Sequence, residues 1–294
     1  MQAVPAAAIK LDSVRRVYGY GPSATTALSG VDLTIPGGRF TSLIGPSGCG
    51  KSTVLRLVAG LEPADGGTVL VHGVTPEVAC AAKLIGFVPQ TPALLPWLSV
   101  LKNVTLPHKI NGRAGKRRER IGDLVELAGP AGLGNSAPDM RELLRKVGLG
   151  EAMHKLPAQL SGGMQQRAAI VRAFGLQPDV LLMDEPFSAL DEFTRESLQD
   201  QLLDLWDELK TTVLFVTHSV SEAVRLSDTI VIMAPQPGRV VDVVDIDLPR
   251  PRNQRLFEER DFHAYEDLIR DRLHSAWRST DAASAVATTG GRTR

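Results

Sequence analysis

Gly45-Pro46-Ser47-Gly48-Cys49-Gly50-Lys51-Ser52-Thr53 decides how this chain is read. The stretch fits the pattern G-x-x-x-x-G-K-[ST], and its flanks supply the context that pattern needs. Before it, Arg39-Phe40-Thr41-Ser42-Leu43-Ile44 reads as a short strand entering a core. After it, Val54, Leu55, Leu57 and Val58 make an apolar helical face that stops at Gly60. Strand, glycine-rich turn and helix therefore follow one another.

The chemistry follows from the residue types. Gly45, Gly48 and Gly50 let the backbone turn tightly, so that successive N–H groups point into one concavity. That concavity opens at a helix N-terminus, where partial positive charge favours phosphate oxygens. Lys51 is placed to reach terminal phosphates and the Ser52 hydroxyl to ligate Mg²⁺. Pro46, Ser47, Cys49 and Thr53 complete the loop, and the stretch predicts a nucleotide site.

The bulk numbers narrow the setting. A chain of 294 residues can bury a large core. Lys plus Arg equals Asp plus Glu at 33 each, which gives no charge argument for a nucleic-acid partner. The two cysteines, Cys49 and Cys80, cannot build a disulfide framework, and a bridge at Cys49 would obstruct the loop. A reducing compartment is the simpler reading. Met1 to Lys10 lacks a basic start followed by an apolar run, so no signal peptide is expected. No stretch approaches the roughly 20 apolar residues of a membrane span.

Along the chain, Ile9, Leu11, Val14 and Val17 are spaced as an irregular strand, and Val31, Leu33 and Ile35 as a regular one. Thr68–His72 and Leu84–Val88 add two more strands. From Leu98 to Gly150 the pattern is mainly helical, with Met140, Leu143, Leu144 and Val147 on one face and Gly148 closing it. Arg113, Lys116, Arg117, Arg118 and Arg120 form a basic run that reads as a solvated helix start or as a contact for an anionic membrane surface. Asp123–Gly129 loosely echoes Glu142–Gly148, by local duplication or by chance. Val180–Met183, Thr212–Val216 and Thr229–Met233 are continuous apolar runs alternating with helical segments, which predicts a parallel sheet covered on both faces. Val240–Val244 and Asp245–Leu248 look like a late β element, and Leu256, Phe257, Phe262, Leu268 and Ile269 like a helical segment. From Thr280 onward the residues are small and polar, and disorder is expected.

Asp184 and Glu185 close the apolar run Val180–Met183, which puts two carboxylates at the carboxyl edge of the sheet, where ligands of open α/β sheets bind. Asp184 then suits the Mg²⁺ shell and Glu185 the activation of the attacking water.

At this point the chain resembles the ATP-binding cassette proteins. Leu160-Ser161-Gly162-Gly163-Met164-Gln165-Gln166-Arg167 is similar to their signature motif. The phosphate loop, Val180–Glu185, Ser188-Ala189-Leu190-Asp191 and His218 follow the family's order and spacing. The likeness covers about Ile9 to Arg250. It implies a P-loop NTPase fold of the α/β class: an ABC-type ATPase domain with an antiparallel β layer, a parallel-sheet core and a helical subdomain. The cassette is expected over 8–250, with the helical subdomain at about 91–175 and an insertion at 121–138, then a helical extension at 251–279 and a disordered tail at 280–294.

The resemblance also implies roles. Gln90 matches the glutamine that meets Mg²⁺ or water, Tyr18 the aromatic that stacks on adenine, and His218 the switch histidine at the γ-phosphate. Ser161, Gly162 and Gly163 would face ATP bound to a second cassette, and Asp191 would connect the two sites. ATP and Mg²⁺ are the implied ligands. The implied partners are a second cassette (a homodimer or a related chain), a transmembrane permease and, indirectly, an extracytoplasmic solute-binding protein. No nucleic acid is expected, and the implied place is the cytoplasmic face of a bacterial membrane.

Three further features resemble importers of the nitrate, sulfonate and taurine type: Gly45–Gly50, Leu94-Leu95-Pro96-Trp97, and Pro237–Val240 followed by Asp247–Arg252. The plain alternative for Trp97 is a core residue. The competing assignments are a cassette ATPase of another transporter class and a soluble cassette outside transport.

Overall fold

The computed structural model describes residues 7–111 and 138–289. Two sheets share the chain. β1 (Ala7–Tyr18), β2 (Thr25–Pro36) and, later, β4 form an antiparallel layer in the order β2-β1-β4. Between β2 and β4 come β3 (Phe40–Ile44) and α1 (Lys51–Val58), with β4 at Gly66–Val71. Then follow α2 (Pro76–Ala81), β5 (Ile85–Val88) and α3 (Val100–Ile110). Beyond residue 138 lie α4 (Met140–Lys146), α5 (Gly162–Phe174), β6 (Val180–Asp184) and α6 (Glu192–Leu209). The chain closes with β7 (Thr212–Thr217), α7 (Val220–Leu226), β8 (Thr229–Ala234), β9 (Arg239–Asp245) and α8 (Arg260–Thr289).

The second sheet has the order β5-β6-β7-β3-β8-β9, parallel except for β9. Its central strands are the continuous apolar runs, because helices and the antiparallel layer leave neither face to water. β3, β7 and β8 are buried at every position. On one face Phe40, Phe187, Phe215 and Trp206 pack ring against ring, with centroids 5.6–6.0 Å apart, beneath α3, α4, α5 and α6. On the other, α1 fills the space under β1 and β2, and Val54, Leu55, Leu57 and Val58 are all buried there.

The irregular spacing of β1 has a local cause. The strand bulges between Leu11 and Arg16, with Ser13 at φ 49°. Gly67 on β4 faces the bulge, and a Cβ there would lie 2.4 Å from the Asp12 and Ser13 carbonyl oxygens.

The structure departs from expectation in three places. Trp97 is no core residue: it is 70% exposed, because the turn ahead of α3 points it outward. Ile246 and Leu248 do not extend the strand but bury themselves beside Phe262 and Ile269. α8 runs to Thr289, past the expected start of a disordered tail at Thr280; Ala282, Ala283, Ala285 and Ala287 are strong helix formers. The basic run Arg113–Arg120 and the segment 121–137 lie outside the described residues.

Candidate functional site

The phosphate-loop half of the site sits where β3 ends and α1 begins. Gly48 and Gly50 hold φ of 78° and 91°, the left-handed values that let the loop close. A Cβ on Gly45 would come within 2.5 Å of the Met233 carbonyl oxygen, so β8 forms one wall. Lys51 is buried and folds over the loop, its Nζ donating to the carbonyls of Gly45 at 2.7 Å and Pro46 at 3.1 Å. Its third contact is the Cys49 Sγ at 3.9 Å, and an ammonium held by two carbonyls and a thiol, with no carboxylate, is poised to exchange them for phosphate oxygens. Cys49 is buried beneath the loop, and burial pushes its thiol upward against the opposing charge of Lys51, away from the reactive thiolate.

The carboxylate half is set by strand register. β6 and β7 pair with Asp184 opposite Val216, and the Glu185 N–H donates to the Val216 carbonyl at 3.0 Å. That pairing levels Glu185 with the turn after β7, so that Glu185 Oε2 lies 3.1 Å from His218 Nδ1. Glu185 has φ 43°, a left-handed value uncommon for a residue with a side chain. Asp184 Oδ1 accepts from Ser52 Oγ at 2.8 Å, which joins the carboxylate edge to the phosphate loop. Burial raises the Asp184 carboxyl above the ordinary carboxylate range; the neighbouring Glu185 adds to this, and the Ser52 hydrogen bond opposes it. Gln90 Nε2 donates to Ser188 Oγ at 3.3 Å, and Ser188 Oγ to the Glu185 carbonyl at 3.0 Å. Ser52, Gln90, Asp184, Glu185 and His218 are thus linked in one cluster.

Tyr18 stands at the edge of the phosphate-loop half, half-buried at the end of β1, with its hydroxyl 3.4 Å from Thr53 Oγ1. Its hydroxyl donates to Glu62 Oε2 at 2.5 Å, and the Arg16 guanidinium lies 5.0 Å from its ring centroid. Glu62 also pairs with Arg16 at 3.3 Å and Arg56 at 3.5 Å. Glu62 does not stand out in the sequence as a site residue, and Ser188 does so only as the first residue of the motif that ends at Asp191. Nothing in the sequence brings Glu62 to Tyr18.

The third group lies on the helical layer. Ser161 caps α5, its Oγ accepting from the Met164 N–H at 3.3 Å. Gly162 faces open space, and a Cβ there would meet nothing within 4 Å. Gly163 is the opposite case: its Cβ would lie 2.5 Å from Thr194 Cγ2 on α6. Asp191 caps α6 by accepting from the Thr194 N–H at 3.0 Å, and that bond holds its carboxyl below the ordinary range. Ser161, Gly162, Gly163 and Asp191 therefore sit beside one another at two helix N-termini: α5 packs with α3, α4 and β5, and α6 packs against α5.

The donor chemistry fits Mg²⁺. Ser52 and Asp184 present hard oxygen atoms to each other at 2.8 Å. Among the described residues no group of three or more His, Cys, Asp or Glu could hold a metal. Two protein oxygens, with nucleotide and water completing the shell, match the way Mg²⁺ is usually held.

Comparison with known proteins agrees with this geometry. The model of the family described as ABC transporter matches residues 28–188. An uncharacterized ABC transporter ATP-binding protein of Methanocaldococcus jannaschii is 40% identical over 250 residues, covering 85% of this chain and 86% of that protein. The aliphatic sulfonates import ATP-binding protein SsuB 1 of Xanthomonas axonopodis pv. citri is 44% identical over 248 residues, covering 84% and 90%. Among solved structures, a dimeric ATP-binding cassette in a post-hydrolysis state with ADP and Pi superposes with a TM-score of 0.65 at 32% identity, covering 82% of this chain and 100% of that one.

Proposed function

The chain belongs to the ABC transporter family, and from that premise we propose that it is the ATP-hydrolysing subunit of an importer, working as one of two cassettes beneath a membrane permease. It is an ATPase. The observation that carries the mechanism is the 3.1 Å contact of Glu185 with His218 beside the Ser52–Asp184 pair.

In this reading the backbone N–H groups of the Gly45–Thr53 loop, Pro46 having none, hold the phosphates, and Lys51 leaves its two carbonyl partners for the terminal phosphate. Tyr18 lies against the adenine. Glu185 accepts a proton from the attacking water as the water oxygen bonds to the γ-phosphorus and the bond to the β–γ bridging oxygen breaks. His218 holds the Glu185 carboxylate in place and contacts the γ-phosphate, while Gln90 orients the water from the Ser188 side. Ser52 and Asp184, with Gln90, would hold Mg²⁺, which neutralises charge developing on the phosphates.

Ser161, Gly162 and Gly163 present a second helix N-terminus, and in the proposed dimer they close over the nucleotide of the partner cassette, with Asp191 between the sites. ATP binds the closed pair better than the open one, so its hydrolysis releases closure and switches the permease. No helix among the described residues is long and apolar enough to cross a membrane; the chain reaches the cytoplasmic face through the permease. Relatives named for aliphatic sulfonate import support small organic or inorganic anions as cargo, delivered by an extracytoplasmic binding protein.

Glu185→Gln is the test. Turnover should fall by about 10²-fold or more, the size of a lost general base, while ATP-dependent dimers accumulate in size-exclusion chromatography. Turnover near wild type would remove Glu185 from this role. Affinity purification from native membranes tests the partner: a multi-span permease supports the importer, and ribosomes or soluble partners alone overturn it.

A further inference from the structure

Resting on the hydrolysis reading above, we propose that Glu222 is a positioning residue: through the Thr217 hydroxyl it fixes the turn that holds His218 against Glu185. Glu222 lies in the first turn of α7 and is 8% exposed. Its Oε2 accepts from Thr217 Oγ1 at 2.5 Å, and the same Oγ1 accepts from the Ser219 N–H at 3.0 Å. Ser219 Oγ in turn accepts from the Glu222 N–H at 3.3 Å. The three residues form a closed ring of hydrogen bonds around the position of His218.

A hydroxyl has one proton. Given to Glu222, that proton leaves the oxygen lone pairs of Thr217 facing the Ser219 N–H, so the residues on both sides of His218 are tied to one atom. Without the carboxylate the hydroxyl is free to rotate, and the backbone of the turn loses its clamp.

The other carboxylate oxygen reaches the helix that starts at Asp191. Glu222 Oε1 accepts from Gln199 Nε2 at 3.3 Å and pairs with Arg195 at 3.6 Å, both on α6. Gln199 Oε1 accepts from Nη1 of the fully buried Arg225 at 2.9 Å, and Arg225 also pairs with Asp200. One side chain thus joins the turn of the hydrolytic pair to the helix carrying Asp191 and Thr194. A leucine would fill comparable space without the desolvation penalty of a buried acid. Burial does push the Glu222 carboxyl upward, and the acid is present all the same.

The experiment is steady-state ATP hydrolysis by the full chain with Mg²⁺, comparing Glu222→Met, Thr217→Val, the double variant and Thr217→Ser. Each of the first two should lower kcat by about 10–100-fold, the scale of an ångström-sized misplacement, with KM for ATP nearly unchanged. The double variant should be no slower than the slower single, because both cut one chain of contacts. Thr217→Ser, which keeps the hydroxyl, should recover most of kcat. In a His218→Ala background, Glu222→Met should add less than about twofold.

Wild-type kcat in Glu222→Met, or a full multiplicative loss on top of His218→Ala, would overturn the proposal. Should Glu222→Met fail to fold, the isosteric Thr217→Val carries the same test. Glu185→Gln, run in parallel, separates the two claims. If it too hydrolyses normally, the underlying mechanism fails; if it is inactive while Glu222→Met and Thr217→Val are normal, only the positioning role fails.

Discussion

Gly163→Ala asks the structure for a number. The added Cβ would sit 2.5 Å from Thr194 Cγ2, where ordinary carbon contacts lie at about 3.5–4.0 Å. About 1 Å must be recovered by moving α5 against α6, and the escape by rotating Thr194 is limited because its β-carbon is branched. Overpacking of this kind costs about 1–3 kcal/mol, partly offset by about 0.5–1 kcal/mol because alanine suits a helix better than glycine. A net loss of about 1–2 kcal/mol should appear in urea unfolding. Hydrolysis should suffer more, since a shift of about 1 Å at the Ser161–Gly163 N–H groups can cost 10²-fold in rate.

Thr194→Ser removes the offending methyl while keeping the N–H that bonds Asp191. Alone it should cost less than about 0.8 kcal/mol, the value for a fully buried methyl, because Thr194 is half-buried. Combined with Gly163→Ala it should restore stability to within about 0.5 kcal/mol of the serine single variant and recover at least tenfold in kcat. A Gly163→Ala protein with wild-type stability and rate would refute the packing argument. So would a double variant in which the two losses simply add.

Two other predictions follow from buried charge. The Asp184 carboxyl is raised in the fold by burial, so its contribution to stability is full below the unfolded value near pH 4 and lost as pH rises through the folded value. Asp184→Asn should therefore raise the Tm of the nucleotide-free chain at pH 8, by an amount that shrinks as the pH is lowered, while Mg²⁺-dependent hydrolysis is lost; a pH-independent difference contradicts the assignment. Arg252, lowered by burial to about 10, gives its guanidinium to the carbonyls of Val224, Arg225, Ser227, Ile246 and Leu248. Arg252→Leu should cost about 2–4 kcal/mol in urea unfolding by leaving those acceptors unpaired, and unchanged unfolding would show that they find other partners.

The elements were legible where one physical signal dominated. The continuous apolar runs of β6, β7 and β8 are too short for buried helices and read as buried strands, and the phosphate loop announces both its flanks. Strand order was not legible. β3 lies between β7 and β8, which are remote from it in the chain, and only that arrangement turns separate strand ends into one site. Glu185 and His218 could each be singled out by type and motif, but their 3.1 Å contact depends on Asp184 pairing with Val216. Trp97 misleads for a related reason: composition cannot say which way a turn residue points. Glu62 and Glu222 look like ordinary surface acids in the sequence and become informative only beside Tyr18 and Thr217.

Helix α5 relates the parts of the proposed mechanism to one another. At its N-terminus stand Ser161, Gly162 and Gly163, set against Thr194. Toward its C-terminus Arg172 donates to the carbonyls of Ala93 at 2.7 Å and Pro92 at 2.9 Å, just past Gln90. A helix is stiff over this length, so the two ends cannot move independently. In the proposed importer, a permease that displaces the segment after Gln90 would therefore act in two places at once. It would alter the Gln90–Ser188–Glu185 contacts at the chain's own nucleotide, and it would move the Ser161–Gly163 turn that serves the partner's. Two sites joined by one rigid element gain a shared equilibrium without needing a contact between the nucleotides, which is how hydrolysis on either cassette could be made conditional on both.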